Sequence, residues 1–154
     1  MKADASTEIT GEKLEEFQHI LKANQLKVTQ PRLRVLDTIS TKTSAISQPE
    51  LEKILGSEID RVTLYRILAN FEEKGILHKV FDLNGTATYA FCSIKCSADH
   101  HHDQHVHFIC SVCNSVFCLD EIALPKVKLP NNFSLHSIAI NAVGLCDSCN
   151  EKQT

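Results

Sequence analysis

The sequence predicts an α+β protein of two unlike modules: a winged helix-turn-helix over residues 1–91 and a small α/β module, stapled by zinc, over residues 92–154. Three features predict this. Well-capped helical periodicity runs as far as Gly75, a period-two pattern broken by Asn84-Gly85 follows, and Cys and His gather in matched pairs after Phe91.

Residues 11 to 23 place Leu14, Phe17, Ile20 and Leu21 on one face of a first helix ending near Asn24. A second helix begins near Thr29, with Pro31 in its first turn, where a missing N–H costs nothing. Its buried side is Leu33, Leu36 and Ile39. Ser47-Gln48-Pro49-Glu50 is a capping box opening a third helix, followed by Leu51, Ile54 and Leu55. The fourth helix is capped by Asp60 and closed by Gly75. Leu64, Ile67, Leu68 and Phe71 must pack inward, while Val62 and Arg66 point outward, flanked by Thr63 and Tyr65. Two strands follow, Ile76 to Phe81 and Thr86 to Phe91, joined by a turn in which both Asn84 and Gly85 tolerate positive φ. Short helices and then a hairpin spell a winged helix, with the fourth helix as the major-groove reader. Beyond the wing, His105 to Ile109, Val116 to Leu119 and Ser137 to Val143 read as strands. A helix is expected near Leu119 to Val127 and a connection over Pro125 to Asn132.

The bulk properties restrict the class further. The chain has 154 residues and no apolar run long enough to span a bilayer. Met1 to Glu16 is polar and acidic, without the apolar core of a signal peptide. Seven cysteines with no export signal point to a reducing compartment, the cytoplasm, where metal binding is favoured over disulfides. A net charge of −3 argues against a generally phosphate-loving surface. The distribution permits a local one: no acid falls between Phe17 and Leu36, while Lys22, Lys27, Arg32 and Arg34 do. Glu72 and Glu73 confine any phosphate contact to the N-terminal half of the fourth helix.

Cys110-x-x-Cys113 and Cys146-x-x-Cys149 are two thiolate pairs, each short enough to grip one side of a tetrahedral ion, and together they suit one structural Zn²⁺ per chain. Buried or redox-active thiols are the competing reading. A module of about sixty residues buries little surface and commonly needs such a staple. A second, regulatory site has five candidates. His105 and His107 share a face of one strand, His78 lies in the wing's first strand, Cys92 just past its second, and Cys118 is left over from the pairs. An ion held by His78 and Cys92 together with the others ties the DNA-reading half to the metal half. Solvated histidines and buried apolar cysteines are the alternative. Cys96 has no assigned role, and His100, His101 and His102, beside Asp99 and Asp103, read as a loop.

In order, a winged helix, His-x-His-x-x-Cys-x-x-Cys and a terminal Cys-x-x-Cys resemble the ferric uptake regulator superfamily of bacterial metalloregulators. The resemblance runs from about Phe17 to Cys149. It is strongest in Leu26-Lys27-Val28-Thr29-Gln30-Pro31-Arg32-Leu33 and Val62-Thr63-Leu64-Tyr65-Arg66-Ile67-Leu68. It implies a homodimer joined through the C-terminal domains, a palindromic operator in double-stranded DNA, and metal-activated repression of uptake or stress genes. It further implies that Tyr65 and Arg66, flanked by Thr63, meet the major groove while Lys27 reaches an adjacent minor groove. Gly75-Ile76-Leu77-His78-Lys79-Val80 and Tyr89-Ala90-Phe91-Cys92 resemble the zinc uptake branch, in which a wing histidine and a hinge cysteine sense the metal. The superfamily's sensory site takes two histidines and an acid where this chain has His105, His107 and Cys118. That substitution softens the site and favours Zn²⁺ over Fe²⁺. Ala45 stands where a sensory histidine is common, and Gln104 and Val106 replace a further His-x-Asp pairing, with His136 offset from its place.

The expected function is therefore a zinc-dependent repressor of metal uptake genes, with a ferrous-iron-responsive regulator or a thiol redox sensor as alternatives. No open metal position with a His-x-Glu carboxylate is evident, so neither an enzyme nor a small-molecule substrate is expected.

Overall fold

The computed structural model describes residues 9–91, 106–119, 121–136 and 138–153. Four helices come first: α1 (Gly11–Ala23), α2 (Gln30–Ser40), α3 (Gln48–Leu55) and α4 (Arg61–Glu73). Their ends follow local chemistry. Ser47 Oγ accepts from the Glu50 amide at 3.3 Å and Asp60 Oδ1 from the Thr63 amide at 2.9 Å, each satisfying an orphan N–H. Helix α4 stops because Gly75 takes φ +75° and lets the Ile76 amide reach back to the Phe71 carbonyl at 2.8 Å. The same backward bond, Leu26 to Leu21, ends α1 with Gln25 at φ +59°.

Phe17, Leu21, Leu36, Leu51, Leu55, Leu64, Leu68 and Phe71 form one buried core. Ile54, expected beside Leu51 and Leu55, is 40% exposed, because α3 is only eight residues long and buries a narrow face. The core is closed by a three-stranded sheet ordered β1–β3–β2, with β1 (Ile46–Ser47), β2 (Leu77–Phe81) and β3 (Ala87–Phe91) all antiparallel. Strand β1 was invisible in the sequence; two residues carry no periodicity. At the hairpin tip only Gly85 adopts positive φ, not Asn84. Asp82 Oδ1 instead accepts from the amides of Asn84 and Thr86, both at 2.9 Å, so a side-chain acceptor closes the turn in place of a paired left-handed step.

A second sheet, ordered β5–β4–β6, contains β4 (Val106–Cys110), β5 (Val116–Leu119) and β6 (Ile140–Gly144). Strand β4 pairs antiparallel with β5 and parallel with β6. The helix expected near Leu119 to Val127 is absent over 121–127, since Pro125 would remove a bond from its interior. A five-residue helix, α5 (Asp147–Glu151), sits at the end instead.

The sheets touch. Val80 of β2 packs with Ile109, Val116 and Ala45. The Ala45 amide donates to the Val116 carbonyl at 2.7 Å, and Asn114 Nδ2 donates to Asp82 Oδ2 at 2.9 Å. The carboxylate that shapes the wing tip thus also ties it to the turn after Cys113. Asn114→Asp places two carboxylates face to face and should speed hydrogen exchange at the Ala45 amide by about fivefold, one hydrogen bond's worth. The exchanged pair Asp82→Asn with Asn114→Asp should restore it. An unrestored rate in the double variant contradicts this coupling.

Candidate metal centres and nucleic-acid face

The parallel register of β4 and β6 brings the two thiol pairs together. Cys110 lies opposite Gly144, the Ser111 amide donates to the Gly144 carbonyl at 2.8 Å, and Cys146 follows two residues on. Asn114, at φ +61°, turns the chain after Cys113, and its amide returns to the Cys110 carbonyl at 3.0 Å. Cys146 caps α5 and Cys149 sits in its first turn. All four Sγ atoms lie within 4.8 Å of one another, with Cys113 and Cys146 separated by 3.8 Å. A tetrahedral Zn²⁺ with Zn–S of about 2.3 Å needs sulfurs roughly 3.8 Å apart. The donors fit a structural zinc by distance and by type.

These thiols do not titrate alike. Backbone N–H groups of Cys113 and Cys146 hold Cys110 down at about 6, which favours its thiolate. Cys149 is pushed up to about 12, chiefly by its hydrogen bond with Cys146 and then by burial. Sulfurs this close cannot all be anionic without a cation among them, so binding a divalent ion releases protons.

Of the five candidates for a regulatory site, His78, His107 and Cys118 are described, while Cys92 and His105 lie outside the described residues, as do Cys96 and His100 to His102. His78 and His107, both buried, face each other from β2 and β4 with ring centroids 6.5 Å apart. Cys118 is the cross-strand partner of His107, so their side chains share a face. Cys118 also borders an open cleft with Ala45, Ala90 and Phe91. Among the described residues, the four cysteines are the group of three or more such side chains close enough to hold an ion.

Lys27 and Arg66 are exposed, and Thr63 and Tyr65 are half-buried on α4. Thr63 gives both its amide and its hydroxyl to Asp60, so it serves the cap. The basic stretch on α2 is less basic than its composition: Arg34 makes two bonds to Glu58, at 2.8 and 2.9 Å, and lies 3.7 Å from Asp37. Two residues on this face were not singled out in the sequence, Glu52 and Arg61, which contact Tyr65. The i,i+4 spacing of Arg61 and Tyr65 was the available signal; Glu52 gave none.

Residues 23–142 match the Ferric uptake regulator family. A ferric uptake regulation protein of Neisseria meningitidis serogroup A is 34% identical over 149 residues, covering 90% of this chain and 98% of the relative. One from Vibrio cholerae is 36% identical over 136 residues, covering 83% and 85%. Among solved structures, a zinc uptake regulator complexed with zinc and DNA superposes with a TM-score of 0.66 at 26% identity, covering 92% of this chain and 95% of that one. The Vibrio cholerae ferric uptake regulator gives 0.56 at 24% identity, covering 84% and 98%, a likeness of fold.

If the four sulfurs hold zinc, Cys146→Ser should abolish its tight binding and raise hydrogen exchange across 106–119 and 140–151, while the far-ultraviolet signal of the four helices persists. Metal analysis beside exchange mass spectrometry reads both. Full zinc content in that variant would remove the four sulfurs from the metal-binding role.

Proposed function

Since this chain belongs to the ferric uptake regulator family, we propose that it is a metal-responsive, DNA-binding transcriptional regulator, not an enzyme, and that zinc is the metal it senses. The single observation that carries the reading is the approach of His78 and His107 across the junction of the two sheets, with Cys118 beside His107. An ion taken there would hold the wing and the C-terminal sheet at once, with Cys92 and His105 as the further candidates; a tetrahedral ion takes four of the five side chains.

Among the described residues, hydrogen bonds from Ala45 to Val116 and from Asn114 to Asp82 cross the junction, contributing about 0.5–1.5 kcal/mol each. Shifting a two-state equilibrium from 1:99 to 99:1 needs roughly 5.5 kcal/mol of differential binding. Metal–ligand bonds supply energy of that order, and only to the closed arrangement, so the ion sets the population. Residues 1–91 would then read DNA, and residues 92–154 would bind metal and dimerise. Support for a homodimer comes from strand β6 at a sheet edge and from Ile122, Val127, Phe133, Leu135 and Val143, each about half exposed or more. A twofold assembly presents two α4 helices to a palindromic operator, where the dimer would act as a repressor, with Tyr65 and Arg66 in the major groove and Lys27 beside it.

Zinc is favoured by ligand softness, since Cys118 and Cys92 suit it better than Fe²⁺, and by the likeness to a zinc uptake regulator bound to zinc and DNA. Iron remains the second reading, because the curated relatives carry the ferric uptake name. Competition between the two metals for the second site, with the four-sulfur zinc retained, separates them.

Chelating the second metal should weaken binding to a selected operator duplex by about 5- to 150-fold, the range of ordinary allosteric coupling. Equal affinity with and without chelator refutes the switch. His107→Ala or Cys92→Ala should keep the structural zinc and the fold yet bind DNA without regard to added zinc. Arg66→Ala should cost about 1–3 kcal/mol of operator affinity with metal content unchanged.

A further inference from the structure

Tyr65 is tied before any DNA arrives. Its hydroxyl donates to Glu52 Oε1 on α3 at 2.6 Å, and Arg61 Nε donates to the same hydroxyl oxygen at 2.9 Å. The Arg61 guanidinium also lies 5.4 Å from the Tyr65 ring centroid and 3.5 Å from Glu52 Oε1. A phenol has one proton to give. With that proton committed to a carboxylate, which can only accept, Tyr65 has no donor for a base-edge acceptor. Arg61, 71% exposed on the first turn of the reading helix, is placed to meet a phosphate but stands against a negative charge.

We infer that Glu52 is a specificity-determining residue that positions Tyr65 and restrains Arg61 on the DNA-reading face. This rests on the DNA-binding reading above and adds to it a residue that touches no base. Its carboxylate fixes the orientation of the Tyr65 ring through a short charge-assisted bond and compels Tyr65 to read by its ring, not by its hydroxyl. It also offsets the Arg61 charge, so that attraction to any phosphate backbone is reduced while the geometry required by the correct sequence is kept. Sequence-independent binding is the part that such a charge suppresses most.

The test uses the full zinc-loaded protein and two probes: a duplex selected by the wild type from a randomised pool, and a shuffled duplex of equal composition. Affinities are measured across a salt series. Glu52→Ala should bind the shuffled duplex more tightly and lower the selected-to-shuffled ratio by about tenfold. It should also steepen the salt slope by about 0.9, one added phosphate contact from Arg61. Glu52→Gln retains an acceptor for the Tyr65 hydroxyl but no charge. It should show the steeper slope while keeping the ratio within about threefold of wild type. A ratio and slope unchanged in Glu52→Ala overturn the inference, as does equal loss of discrimination in both variants. A wild-type protein that prefers neither duplex fails the DNA-binding reading instead. The Arg61 Nε–H nuclear resonance still reports on the tether in that case: it should shift in Glu52→Ala of the free protein, and an unmoved resonance removes the positioning role.

Discussion

Among the described residues, the sheet β5–β4–β6 has no single hydrophobic cluster of its own, so its stability depends on what replaces one. Apart from Val106 and His107, its buried residues divide between two places. Cys110, Cys146 and Cys149 cluster at one end with Phe108 and Phe117, while Ile109 and Val116 turn to Val80 of the wing at the other. The first place needs a cation to keep several sulfurs in contact; the second needs the neighbouring module. By contrast, the helical half encloses a continuous apolar core from Phe17 to Tyr89 and has no such dependence.

In the function proposed, that asymmetry would let a metal site act on α4 through the junction of the two sheets. Strand β2 follows directly on α4 through Gly75, so any force on the wing acts at the end of the reading helix. On its other side β2 presents His78 and Val80 to β4 and β5. Asp82 shapes the wing tip and bonds to Asn114, one residue past a metal-type cysteine. Among the described residues, the helical module thus meets the sulfur-bearing sheet through the packing of Val80, the approach of His78 to His107 and the hydrogen bonds of Ala45 and Asn114. The population switch proposed above would act at this contact.

Around α2 and α4, charge is moderated as well as supplied. Arg34 is engaged by Glu58, Arg61 by Glu52 and Tyr65, and Thr63 by Asp60. A net charge of −3 is thus compatible with basic side chains exposed locally around α4.

By itself the sequence determined what short-range chemistry specifies. Ser47, Asp60 and Gly75 mark helix ends because each satisfies backbone groups within a few residues, and Leu64, Ile67, Leu68 and Phe71 share a face by helical period alone. The cysteine spacing likewise encodes two local knuckles. Tertiary structure decided everything resting on contact between distant segments. These include the two-residue strand β1, the parallel register that joins the knuckles, the meeting of His78 with His107 and the carboxylate of Glu52 on Tyr65. It also decided the exposure of Ile54 and the loss of the helix expected near Leu119 to Val127. Local signals act through bonds between near neighbours, whereas pairing, convergence and burial depend on where the rest of the chain has gone.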